Sequence, residues 1–102
     1  MIKYDKLVRD KIPEIIKNAN QIPIVHTASD EEYANKLKEK LKEEINEFLE
    51  SNTEEELADV LEVIYSICDL KGIDKEELEK LREKKSEERG SFDNRVILDE
   101  VN

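Results

Sequence analysis

From Leu57 to Leu70 the chain is apolar in almost every direction a helix can present. Leu57, Ala58, Val60, Leu61, Val63, Ile64, Tyr65, Ile67, Cys68 and Leu70 leave one polar stripe, made by Glu56, Asp59, Glu62, Ser66 and Asp69. A helix that is apolar on most sides belongs at the centre of a structure. A chain of 102 residues has little material to wrap around it. Part of this surface is therefore expected to be covered by another copy of the chain, giving a homodimer or a higher homo-oligomer.

The rest of the sequence predicts helices as well. There are only two Gly and two Pro, too few for the tight turns of an all-β protein. The expected fold is all-α: one domain over residues 1–102, four-helix bundle-like and assembling through its central helices. Leu7, Val8, Ile12, Ile15, Ile16 and Ala19 recur at helical spacing, with Asp10 as a cap and Pro13 in the first turn. Ser29-Asp30-Glu31-Glu32 reads as a capping box opening a second helix to about Glu50. Thr53 restarts a third helix, stopped by Gly72, and Asp74 opens a fourth that ends near Gly90. Residues 22–27, β-branched but interrupted by Pro23, read as an edge strand that can pair with Val96-Ile97-Leu98.

Charge and cysteine content exclude several classes of function. A formal net charge of -10 disfavours nucleic acid, whose phosphates need clustered cations. It also disfavours an anionic membrane surface. No apolar run approaches the ~20 residues that span a bilayer, and Met1 to Lys6 lacks the apolar core of a signal peptide. The expected compartment is cytoplasmic. Cys68 has no intrachain partner, and with His26 it makes no zinc-type spacing. Any chemistry must then use carboxylates, hydroxyls, amides or a hard metal ion.

Carboxylates fall on the inward sides of both central helices. The apolar stripe of the second helix is Tyr33, Leu37, Leu41, Ile45, Phe48 and Leu49. Glu44 lies roughly 60° from its centre and Glu47 lies on its border, while Glu39, Glu43 and Glu50 point away. Asp59 sits inside Leu57-Ala58-Asp59-Val60-Leu61, with Glu56 one turn before it. Core-facing carboxylates are costly unless paired with cations or bound to metal. Two acids on each of two adjoining helices can converge on an all-oxygen site suited to Mg²⁺ or Mn²⁺. Spacing alone does not define such a site, since Glu-x-x-Glu also occurs at Glu47/Glu50 and Glu76/Glu79, and Glu56 can serve as a capping-box acid.

These residues resemble a known pattern. Glu43-Glu44-Ile45-Asn46-Glu47 followed by Glu56-Leu57-Ala58-Asp59 is similar to the paired acidic signature of the MazG-like all-α NTP pyrophosphohydrolase superfamily. Tyr4-Asp5-Lys6-Leu7-Val8-Arg9-Asp10-Lys11-Ile12-Pro13 and Glu88-Arg89-Gly90-Ser91-Phe92 resemble its phosphoribosyl-ATP pyrophosphohydrolase-like subgroup. The resemblance implies Mg²⁺-dependent cleavage of a nucleoside triphosphate between the α and β phosphates, with Glu44, Glu47, Glu56 and Asp59 as metal ligands. Eight residues separate Glu47 from Glu56, a shorter link than is usual in the superfamily. Glu47 is the candidate for orienting the attacking water.

Lys6, Arg9 and Lys11 near the first helix, and Arg89 and Arg95 near the Gly90-Ser91 turn, are the candidate phosphate contacts. Lys36 and Lys40, one turn apart on the second helix, are a further pair. The expected role is clearance of non-standard or surplus nucleotides. Two alternatives stand beside it: a phosphoribosyl-ATP pyrophosphohydrolase of histidine synthesis, and a non-catalytic helical nucleotide-binding dimer.

Overall fold

The computed structural model describes residues 2–102 and is all-helical. It holds α1 (Ile12–Asn18), α2 (Asp30–Ser51), α3 (Glu54–Lys71) and α4 (Lys75–Arg89). Helix ends follow local chemistry. Ser29 Oγ accepts from the Glu32 backbone N–H at 3.3 Å, and Asp74 Oδ1 accepts from the Glu76 N–H at 3.4 Å. Asp10 does not cap α1; Lys11 holds that position, and no side chain bonds the first turn there. Gly72 closes α3 in the left-handed region at φ 70, where a Cβ would be strained. The Ile73 N–H reaches back to the Cys68 carbonyl at 2.8 Å and satisfies an end carbonyl.

The extensive helix–helix interface among the described residues is α2 against α3. Asn52 takes the left-handed conformation and Thr53 is extended, so two residues reverse the chain. The helices therefore run antiparallel as a hairpin. Its core is thin: Leu37, Val63 and Cys68 are buried, and Glu44 is buried with them. Tyr65 is half-buried on α3, with Lys75 at the start of α4 lying 4.5 Å from its ring centre.

The expected strand pairing does not form. Among the described residues there is no strand, and residues 22–27 and 96–98 are irregular. Ile22 and Ile24 are 90% and 91% exposed. A two-stranded ribbon is marginal without a packed face, and Pro23 removes one donor from it. β-branched composition without an apolar surface to lie on does not make a strand here.

The fold leaves much apolar surface open. The accessible surface is 9589 Å², against about 6,000 Å² for a compact monomer of this mass. The radius of gyration is 18.1 Å, against about 13 Å for a compact domain of this length. Ile45 and Leu49 on α2 and Leu57 and Leu61 on α3 are exposed, each pair one turn apart. No helix among the described residues is long and apolar enough to cross a membrane.

Candidate metal centre

The carboxylates that the α2–α3 hairpin brings together are Glu44, Glu56 and Asp59. One oxygen from each lies within 4.8 Å of the other two. Oxygens sharing one Mg²⁺ at ~2.1 Å stand about 3–4.2 Å apart in an octahedral shell, so small side-chain rotations suffice to close them on an ion. Glu44 comes from the inward face of α2, while Glu56 and Asp59 come from the first two turns of α3. The short Asn52-Thr53 link sets α3's first turn beside α2's last turns.

Glu44 is 6% exposed. Its Oε1 faces Lys40 Nζ at 3.2 Å, while its Oε2 is buried with no hydrogen-bond partner. Glu56 Oε2 is likewise buried and unpartnered. A buried polar atom without a partner costs about 1–3 kcal/mol, more when charged. Two such oxygens within this cluster of three carboxylates suit a divalent cation, and the donor set is all oxygen, as Mg²⁺ or Mn²⁺ prefers. Burial pushes the Glu44 pKa up; the bond to Lys40 opposes this, and the charges of Glu47 and Asp59 add to the rise.

Glu47 stands outside the group of three. It is exposed one turn along α2 and acts on Glu44 through its charge. Its position on the border of the apolar stripe carries it away from the α2–α3 seam. The structure therefore brings together three of the four expected ligands.

Two of the expected phosphate contacts reach this acidic face from the N-terminal segment. Arg9 Nη2 donates to Asp59 Oδ1 at 2.6 Å, and Lys6 Nζ donates to Glu43 Oε1 at 2.9 Å. Lys36 Nζ donates to the Asp5 carbonyl at 2.6 Å and so ties the segment to α2. Glu43 turns toward this segment rather than away from it. Burial raises the Glu43 pKa, but its bonds to Lys6 and Lys40 outweigh that and hold it below its ordinary value. A cavity of about 190 Å³ lies between the segment and α2, with Lys6, Lys36 and Lys40 among its lining residues.

Lys11 is exposed at the start of α1. Arg89 and Arg95 are exposed and form no ion pair among the described residues. The helix wheel turns Glu43 away from the apolar stripe and puts Lys40 one turn from Lys36, and it does not show the contacts of Lys40 with Glu43 and Glu44. Nothing local marks the approach of Lys6 to Glu43.

The comparisons with known proteins are narrow. A curated relative from Mycolicibacterium smegmatis, described as an uncharacterized protein, is 44% identical over 48 residues. That stretch is 47% of this chain and 49% of the relative, so the match covers about half of each protein. No family model and no solved structure matches the chain.

Proposed function

We propose that this chain is a divalent-metal-dependent nucleoside triphosphate pyrophosphohydrolase. It would cleave between the α and β phosphates to release the nucleoside monophosphate and pyrophosphate. The observation that carries the reading is the meeting of Glu44, Glu56 and Asp59 with two buried, unpartnered oxygens among them. The resemblance of the acidic signature and the N-terminal segment to the MazG-like superfamily supports the same reaction.

Glu44, Glu56 and Asp59 would hold the cation. Bound there, Mg²⁺ or Mn²⁺ supplies charge neutralisation for phosphate oxygens and acidifies water. Glu47, exposed beside the group, is free to accept a proton from the attacking water and to orient it. Lys6 and Lys40, with Lys36 behind them, supply positive charge to the polyphosphate on the α2 side. The lysines offset the repulsion that so acidic a chain exerts on a triphosphate. The proposed use is removal of non-standard or surplus nucleotides.

A second copy of the chain is part of this proposal. The open surface at Ile45, Leu49, Leu57 and Leu61, on a chain far larger in area than a compact monomer, fits a homodimer or higher homo-oligomer.

The test is a pyrophosphate-release screen over standard and modified nucleoside triphosphates, with phosphoribosyl-ATP included, in Mg²⁺ and Mn²⁺. Release that disappears in Glu44→Gln and in Asp59→Asn supports the reading. Intact substrates across the panel, at protein concentrations where nucleotide binds, would instead favour a sensor.

A further inference from the structure

Asp59 already has a cation beside it. Arg9 lies fifty positions away in sequence, yet its Nη2 stands 2.6 Å from Asp59 Oδ1. The ion pair is open to water, with Arg9 more than half exposed. Such a pair is weak, because solvent screens it and two side chains must be ordered. The segment carrying Arg9 has no regular structure before α1 and is tied down by Lys6 on Glu43 and Lys36 on the Asp5 carbonyl. It therefore stays beside the site if Arg9 lets go.

The neighbours of Asp59 are different. Glu44 is more than nine-tenths buried, and its Oε2 has no partner. Lys40 is held between Glu44 Oε1 and Glu43 Oε2, both at 3.2 Å, and is itself mostly buried. Lys40 is thus a fixed counter-charge and Arg9 an exchangeable one. A guanidinium and a divalent cation would compete for the Asp59 carboxylate, which holds the Arg9 Nη2 contact and also belongs to the cluster with Glu44 and Glu56. A guanidinium freed there is also the side chain best shaped for a phosphate oxygen pair.

We propose that Arg9 is a displaceable counter-cation that neutralises Asp59 in the ion-free chain and is handed to a substrate phosphate when a divalent cation takes Asp59. The inference rests on the reading of Glu44, Glu56 and Asp59 as a divalent site. It makes Arg9 a competitor of the cation in the ion-free chain and a binding residue for the polyphosphate. No covalent step is involved.

The experiment uses the full-length chain and two probes, Mn²⁺ alone and then inorganic pyrophosphate at saturating Mn²⁺. Titration calorimetry is run on the wild type, Arg9→Gln, Arg9→Lys and Asp59→Asn. Arg9→Gln is expected to bind Mn²⁺ alone roughly three- to fivefold more tightly, because the competitor is gone. The gain should shrink as ionic strength rises. The same variant should bind pyrophosphate more weakly, and Arg9→Lys should fall between on both axes. Opposite changes in the two affinities are not expected from a merely structural role. In the wild type, Mg²⁺ should shift the Arg9 Nε–H resonance, a readout that does not depend on any variant folding.

Unchanged or weaker Mn²⁺ binding in Arg9→Gln, with the wild type binding normally, overturns the counter-cation and leaves the metal site standing. Tighter Mn²⁺ binding with unaltered pyrophosphate affinity overturns the hand-over to phosphate. Failure of the wild type to bind Mn²⁺ at all overturns both the inference and the site beneath it.

Discussion

Lys40 Nζ stands 3.2 Å from Glu44 Oε1, one turn along α2, and both side chains are largely shielded from water. The pair leaves the other Glu44 oxygen without a partner. Removing one member of a buried pair typically costs about 3–5 kcal/mol, because the remaining charge is uncompensated. Lys40→Met should therefore lower Tm sharply in chelator. Divalent metal should recover part of that loss. Thermal melts in EDTA and in Mg²⁺ measure both, and a variant equally stable in EDTA would mean Glu44 is already neutral.

Removing acids should act in the opposite direction when no metal is present. Glu44→Gln and Glu56→Gln relieve crowded negative charge, and Glu44→Gln leaves Lys40 compensated by Glu43 Oε2 at 3.2 Å, so each should hold or raise Tm in EDTA. Each should also abolish the Tm increase that Mg²⁺ gives the wild type. Loss of stability in EDTA together with an intact Mg²⁺ effect would remove these residues from the ligand set.

Acidity gives a further test. Burial raises the folded-state pKa of Glu44 above its ordinary 4.5. The unfolded chain loses that proton first as pH rises, so the stability contributed by protonated Glu44 is full below the ordinary value. It is lost as pH rises through the raised one. The Tm increase on adding Mg²⁺ should accordingly be larger near neutral pH than near about pH 5, where protons compete with the metal. In Glu44→Gln, Tm in EDTA should depend less on pH across this range. Melts at several pH values, with and without Mg²⁺, report the difference.

The helices were legible in the sequence and the long-range pairing was not. Ser29, Asp74, Gly72 and Gly90 mark ends by side-chain chemistry that acts over a few residues, and α2, α3 and α4 start or stop beside them. The inward turn of Glu44 follows from its angle to Leu41 and Phe48, a local quantity too. Arg9 on Asp59 and Lys6 on Glu43 depend instead on where an irregular segment lies against α2, which no periodicity encodes. Residues 22–27 look like a strand by composition, but strand formation needs a partner and a face to bury, and here Ile22 and Ile24 have neither.

Core packing gives a control independent of any ligand. Leu37 is 2% exposed, within a core of few buried side chains. Leu37→Ala should cost about 2–5 kcal/mol of stability, by loss of burial and a residual cavity. Urea unfolding followed by circular dichroism measures it. A cost below about 0.5 kcal/mol would mean that the α2–α3 seam rearranges freely around this position.

Assembly is tested at the exposed apolar surface of α3. Leu61 is 45% exposed beside Leu57. Leu61→Lys should lower the sedimentation mass to that of one chain while helicity is kept or falls modestly. A wild type that already sediments as a single chain at micromolar concentration would remove the second copy from the account.

Asn52 and Thr53 alone separate the helix that ends at Ser51 from the one that begins at Glu54. A connection this short acts as a rigid spacer. Glu44 lies two turns before it and Glu56 just after, so their separation is governed by covalent geometry more than by distant packing. Fraying at α1, α4 or the chain ends leaves that spacing alone. Adding one residue within α2 after Glu47 would swing every later side chain about 100° around the α2 axis relative to Glu44, dispersing the oxygens without altering a single carboxylate.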